Sequence, residues 1–353
     1  MSKHPTEISP LKAGAAYIGT VVGAGFATGQ EILQFFTNFG AKGMWGIALS
    51  TFLFICFGYI IMSVGNSRSA RSHLEVIDGT GGHLLTKFMD VLITFFLFGS
   101  LTAMIAGTGA IAREQLGVSA VWGSLFMTVL TTATVLYGID GIINSISAVV
   151  PFLLLSIAGI SGYCIIKAPP IYAEAQTAVQ SGLISNWLTA AILYTSYNTV
   201  ISISVLGPLG TKLSGKKAIL KSAAIGGLGL GIGSAMIYAA LLLNIGEAPR
   251  YEIPMLYLAG TPLIKALYTA VLTAEIYTTA IGSLYGFTAR LTSGIISPRR
   301  GVPLTLAAAA TAFFASFASF SGIVKILYPL IGLGGLLLLA SLLHEQIPFL
   351  RRR

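Results

Sequence analysis

Apolar runs of about twenty residues, parted by shorter polar stretches, recur ten times along the chain. They fall at about 11–37, 43–65, 88–112, 118–137, 141–166, 187–207, 222–244, 263–289, 302–320 and 322–343. Each is long enough to carry a helix across the hydrocarbon core of a bilayer, so the pattern predicts an all-α integral membrane protein of ten transmembrane helices. The polar connections are uneven. Asn66 to Lys87 reads as a polar loop holding Arg68, Arg71, His73, Glu75, Asp78 and His83, and Pro169-Pro170 lies in a second loop. Lys212, Lys216, Lys217 and Lys221 precede the seventh run. The connection with Glu247, Arg250 and Glu252 leads into Ile253–Ala259, which reads as a short surface helix.

Two of the ten runs depart from a plain membrane span. The first holds Gly19-Thr20-Val21-Val22-Gly23-Ala24-Gly25-Phe26-Ala27-Thr28-Gly29-Gln30-Glu31. Glycine costs a helix interior roughly 1 kcal/mol relative to alanine, and a carboxylate at membrane depth costs a few kcal/mol more. That composition predicts a break around Gly23-Ala24-Gly25, where backbone groups become free to bind a ligand or ion. The sixth run reads Tyr194-Thr195-Ser196-Tyr197-Asn198-Thr199-Val200-Ile201-Ser202 at its centre. A lipid-facing helix would not carry so many polar residues there, and a second interruption at the midplane is expected.

The composition agrees with a membrane protein: 353 residues, 55% hydrophobic and only 9% charged. The net charge of +9 is an orientation signal rather than a nucleic-acid footprint, because the bases lie between the apolar runs. With the N-terminus in the cytoplasm, fifteen Lys and Arg fall inside and six outside. The inside set includes Lys3, Lys12, Arg68, Arg71, Lys87, the Lys212–Lys221 group, Arg290, Arg299, Arg300 and the three terminal arginines. The outside set is Lys42, Arg113, Lys167, Arg250, Lys265 and Lys325. Both termini are therefore expected on the cytoplasmic side of the membrane. Ten helices divide into five plus five, and an odd half inverts its partner. One transmembrane domain over 1–353 is expected, with repeats at about 11–166 and 187–343, as in inverted-repeat transporters.

The stretch Val22-Gly23-Ala24-Gly25-Phe26-Ala27-Thr28-Gly29-Gln30-Glu31 resembles the start of the YkvI-like bacterial membrane proteins, within the amino acid–polyamine–organocation group of LeuT fold. The resemblance extends to helix count, termini and length. It implies a secondary transporter in which segments one, two, six and seven form a bundle that rocks against a scaffold. It further implies a cation site between the first and eighth segments. Aligned on Gly23-Ala24-Gly25, the carbonyls of Gly19 and Val22 would face Glu275, Thr278 and Thr279. Glu275 stands where the family pattern has a small residue, and could ligate a cation or exchange a proton. The resemblance also implies an outer ion-pair gate, for which Glu31 and Lys325 are the candidates.

Glu275 lies about ten residues from Lys265, roughly 15 Å into the membrane at 1.5 Å per residue. Glu31 also suits the start of an outer half-helix, where its charge would meet exposed amides. For substrate the expected contacts are Gly23, Ala24, Gly25, Phe26, Thr28, Tyr194, Tyr197 and Asn198. Phe95, Phe96 and Phe98 are placed to wall the same midplane pocket. The glycines from Gly226 to Gly233 superficially match a nucleotide fingerprint, but with no strand before them they read as helix packing. Cys56 and Cys164 lie in apolar runs and imply no disulfide, and no histidine sits at a predicted break. No enzyme, cofactor or resident metal is expected beyond Na⁺ or H⁺ as coupling ion; the partners are lipid and a small-molecule substrate. The expected activity is cation-coupled transport of an amino acid or related compound, against the alternatives of a ligand sensor or a channel.

Overall fold

The computed structural model describes residues 7–70, 73–137, 143–167, 184–294 and 301–346. Asp140, the Pro169-Pro170 loop, and Lys3, Arg71, Arg299, Arg300 and the terminal arginines of the charge count lie outside these residues. All ten apolar runs are helical. The first is divided into α1 (Pro10–Val21), α2 (Ala24–Thr28) and α3 (Gln30–Phe35). Then come α4 (Lys42–Arg68), α5 (His73–Leu116), α6 (Ala120–Tyr137), α7 (Ile143–Lys167), α8 (Trp187–Gly210) and α9 (Gly215–Leu243). A short helix, α10 (Pro254–Leu258), forms where one was expected, but it is packed into the interior rather than lying at the surface, with Pro254, Met255, Leu256 and Leu258 buried. α11 (Pro262–Gly294), α12 (Gly301–Ala315) and α13 (Phe320–Gln346) follow. Among the described residues there is no strand.

Among the described residues, seven helices are long and apolar enough to cross a membrane. Two of the other runs depart from a plain span for physical reasons: the first is broken, and α11 carries Lys265, Glu275 and Arg290 among its threonines and tyrosines. α7 is an apolar helix of 25 residues from Ile143 to Lys167. The protein is thus a multi-pass membrane protein.

Two further expectations are corrected. The polar stretch 66–87 is not a loop: α4 continues to Arg68, and α5 starts at His73 and passes a kink at Gly82. Val76 and Ile77, fully buried, anchor this entry turn, and Arg68 donates to the Val76 carbonyl at 3.1 Å. Nor is the sixth segment interrupted, for α8 runs unbroken from Trp187 to Gly210. Its polar residues bond back along the helix, Thr195 to the Ala191 carbonyl and Thr199 to that of Thr195, each one turn earlier. Hydroxyls satisfied in this way leave the backbone ladder whole.

α1, α4, α8 and α9 pack together as a bundle, while α5, α6, α11, α12 and α13 form the facing layer. α13 joins the two through α8, where Ser196 donates to the Gly332 carbonyl at 2.7 Å. Tyr17 fastens α1 into the bundle by donating to the Phe54 carbonyl at 2.9 Å, and its ring lies directly against Gly226 of α9. The glycines of α9 therefore serve close helix packing.

Candidate functional site

The break in the first segment is built by the sequence on both sides. Ser9 caps α1 through Lys12 N–H at 3.3 Å, with Pro10 at the first helical position. The helical ladder ends where Val22 N–H bonds the Ile18 carbonyl at 2.8 Å, and resumes where Ala27 N–H bonds Gly23 at 2.9 Å. Between these bonds Val22 and Gly23 are extended, and the carbonyls of Gly19 to Val22 fall in the gap. A second turn follows at Gly29, whose φ of 84° is the left-handed conformation that glycine adopts without strain. This turn sends α3 off in a new direction and folds the Glu31 side chain back toward the break.

A cavity of about 200 Å³ opens at this point. Gly19 through Gly25 form one wall, and Glu31, Tyr197, Asn198 and Ile201 extend it. Across from them stand Phe96, Ser100 and Met104 of α5, Glu275, Thr278 and Thr279 of α11, and Tyr328 of α13. The cavity thus lies between bundle and facing layer. Glu275 is only 5% exposed, and its Oε2 has no hydrogen-bond partner. Thr278 donates to the Glu275 carbonyl at 2.9 Å. Glu31 is 4% exposed and accepts a hydrogen bond from the Tyr197 hydroxyl.

Of the residues expected to touch substrate, Gly23, Ala24, Gly25, Tyr197 and Asn198 line the cavity, and all five of the ion set, Gly19, Val22, Glu275, Thr278 and Thr279, do so as well. Phe26, Thr28 and Tyr194 do not. Phe26 turns toward Gly233 of α9, and Thr28 donates to the Gly25 carbonyl at 2.9 Å. Tyr194 sits in an aromatic cluster with Phe35, Phe36 and Phe54. Of the three phenylalanines on α5 only Phe96 reaches the cavity, while Phe95 is 52% exposed and Phe98 packs on Phe287. The Glu31–Lys325 pairing is also absent. Glu31 faces inward onto Tyr197, and no ion pair joins it to Lys325 among the described residues. Unforeseen were Ser100 and Met104, which share the helix face of Phe96 at four-residue spacing, and Tyr328, whose position before Pro329 was its only signal.

On the α3 side the site is covered by the connection between α9 and α11. Gln30 donates to the carbonyls of Tyr251 and Glu252 at 3.0 and 3.1 Å. Glu252 accepts from Ser321 N–H at 2.8 Å and pairs with Arg113 at 3.5 Å, and its own N–H bonds Glu114 at 2.8 Å. Ile253, Met255 and Leu256 are wholly buried beneath this network. On the α1 side, by contrast, Ala15 and Ala16 are exposed and Gly19, Thr20 and Gly23 partly so.

A helical membrane protein whose first segment breaks at a cavity between a bundle and a second layer belongs to the LeuT-fold class, and solved structures agree. The fold superposes on MhsT in complex with L-phenylalanine with a TM-score of 0.60 at 14% identity, covering 97% of this chain and 93% of that one. A Na⁺-coupled sialic acid symporter gives 0.59 at 16%, covering 93% and 76%, and an Eremococcus coleocola manganese transporter 0.58 at 15%, covering 95% and 78%. No family model matches the sequence. The chain belongs to the YkvI family. It is 32% identical over 345 residues to the uncharacterized membrane protein YkvI of Bacillus subtilis (strain 168), covering 96% of this chain and 95% of the relative. Its identity to YyaD of the same strain is 33% over 332 residues, covering 94% and 95%.

Proposed function

We propose that this protein is a secondary transporter of the bacterial inner membrane, with both termini cytoplasmic. It carries a small polar solute, an amino acid or a related amine or carboxylate, coupled to Na⁺ or H⁺. The observation that supports this best is that one cavity joins the open backbone of the first segment to Glu275, Thr278 and Thr279 across the boundary between bundle and facing layer. A substrate or ion bound there touches both bodies at once, so binding can bias their relative position. The donor set around Glu275 is all oxygen (main-chain carbonyls, two hydroxyls and a carboxylate with an orphaned Oε2), which suits a hard cation such as the proposed Na⁺. A buried carboxylate without a basic partner is costly, and either a bound cation or a proton relieves that cost. The fold neighbours whose names state a cargo carry manganese or sialic acid. They support transport as the activity and leave the cargo to the site itself.

The test is solute uptake into vesicles reconstituted with the full chain, with pH and sodium gradients imposed separately. One of the two gradients should drive accumulation, and Glu275→Gln should lower the driven rate at least tenfold. Unchanged driven uptake in that variant would remove Glu275 from the coupling role. Solute-dependent stabilisation with no flux under either gradient would instead identify a sensor.

A further inference from the structure

We infer that the substrate is a compact organic cation, an ammonium compound without a carboxylate of its own, and that Glu31 is its charge partner. This rests on the reading of the cavity as a substrate site and narrows it. The first ground is charge. Two of the cavity's lining residues, Glu31 and Glu275, are carboxylates, and none is Lys, Arg or His. A largely buried pocket with this imbalance attracts a positive guest and repels an anionic one.

The second ground is position. The turn at Gly29 brings the Glu31 carboxylate so close to Gly25 that a β-carbon on Gly25 would collide with it. The carboxylate of a zwitterionic solute would seek the open amides at that same place beside the break. The protein's own carboxylate already lies against Gly25, and its negative charge disfavours a second carboxylate beside it. The third ground is the wall. Tyr197 holds Glu31 by its hydroxyl, the Tyr328 ring lies 5.1 Å from that of Tyr197, and Phe96 lies 6.0 Å from Tyr328. Aromatic faces grouped beside a carboxylate suit an alkylammonium head, which gains from ring quadrupole and ion pair together. At about 200 Å³, against about 150 Å³ for an apolar cavity that holds benzene, the space admits a guest only modestly larger than one ring. Glu275, beside Thr278 and Thr279, remains for the coupling ion, one carboxylate for each positive charge.

The experiment uses matched pairs that differ only in the carboxylate: isobutylamine with valine, and phenethylamine with phenylalanine. Thermal unfolding of the purified full chain is recorded with each, followed by vesicle uptake of the same compounds. At least one amine should raise the melting temperature while its amino acid does not. Glu31→Gln should weaken that amine at least tenfold, and Glu31→Asp should retain part of the affinity. Tyr328→Leu should weaken it more than Tyr328→Phe. If Glu31→Gln does not fold, the Asp variant and the two Tyr328 variants carry the test. The inference is overturned if an amino acid stabilises where its amine does not, if neither amine binds, or if the Glu31 and Tyr328 variants bind the amine like the parent. Amine binding without flux would leave the inference standing and overturn transport, whereas amino-acid flux would do the reverse.

Discussion

Gly25 and Glu31 constrain each other, and that contact makes their roles separable. Replacing Gly25 by Ala puts a methyl group where the carboxylate now lies, an overpacking that typically costs about 1–3 kcal/mol. Stability measured by denaturation should fall by about that much in Gly25→Ala. It should recover in part in the Gly25→Ala, Glu31→Ala double variant, since the second change removes the colliding group. If the two effects simply add, the contact is not the origin of the loss. Tyr197→Phe tests the other side of Glu31. It removes the hydroxyl donor and leaves a buried acceptor unsatisfied, which costs about 1–3 kcal/mol. Tyr194→Phe is the comparison, because it is the Tyr197 hydroxyl and not that of Tyr194 that bonds Glu31; it should cost less than Tyr197→Phe in the same measurement.

The same logic extends to the elements, where Gly29 decides the course of the first segment. Alanine at a φ of 84° is strained by roughly 1–2 kcal/mol, and Met255 leaves its β-carbon little room. Gly29→Ala should therefore destabilise the protein and also swing α3, so amine binding through Glu31 should weaken more than an equally destabilising change elsewhere would cause. The break ahead of α2 was legible in the sequence because glycines and a carboxylate contradict what a plain span requires. The continuity of α8 was not. Thr195, Thr199, Asn198 and Ser202 all bond to carbonyls three or four residues earlier, and composition cannot separate a helix that absorbs its polar groups from one that breaks to use them. The five residues that the resemblance implied for a cation, Gly19, Val22, Glu275, Thr278 and Thr279, line one cavity, and they lie close together within only two segments. The Glu31–Tyr197–Tyr328 grouping joins three distant segments and left no local trace, while Lys325, at a plausible depth on the same helix as Tyr328, drew the expectation to the wrong partner.

At the scale of the molecule, access to the cavity is uneven, and a single residue holds much of that asymmetry. Glu252 sits on the covering connection and ties it to the facing layer twice, accepting from Ser321 N–H of α13 and donating its own N–H to Glu114 of α5. Gln30, on the broken segment, grips the same connection through main-chain carbonyls. The Arg113 pair adds little, because that guanidinium is mostly exposed. Glu252→Ala removes the acceptor of Ser321 and leaves its N–H unpaired, a loss of about 1–3 kcal/mol. Each 1.4 kcal/mol is a tenfold change in an equilibrium, so the covered side should open measurably more often. Single cysteines report this once Cys56 and Cys164 are replaced: one at Leu33, buried in α3, and one at Ala16, exposed on α1. In the Glu252→Ala background, thiol labelling at position 33 should rise several-fold while labelling at position 16 slows, because in the proposed transport cycle opening one side closes the other. If both rates rise together, the variant has only loosened the fold, and Glu252 contributes stability rather than a latch.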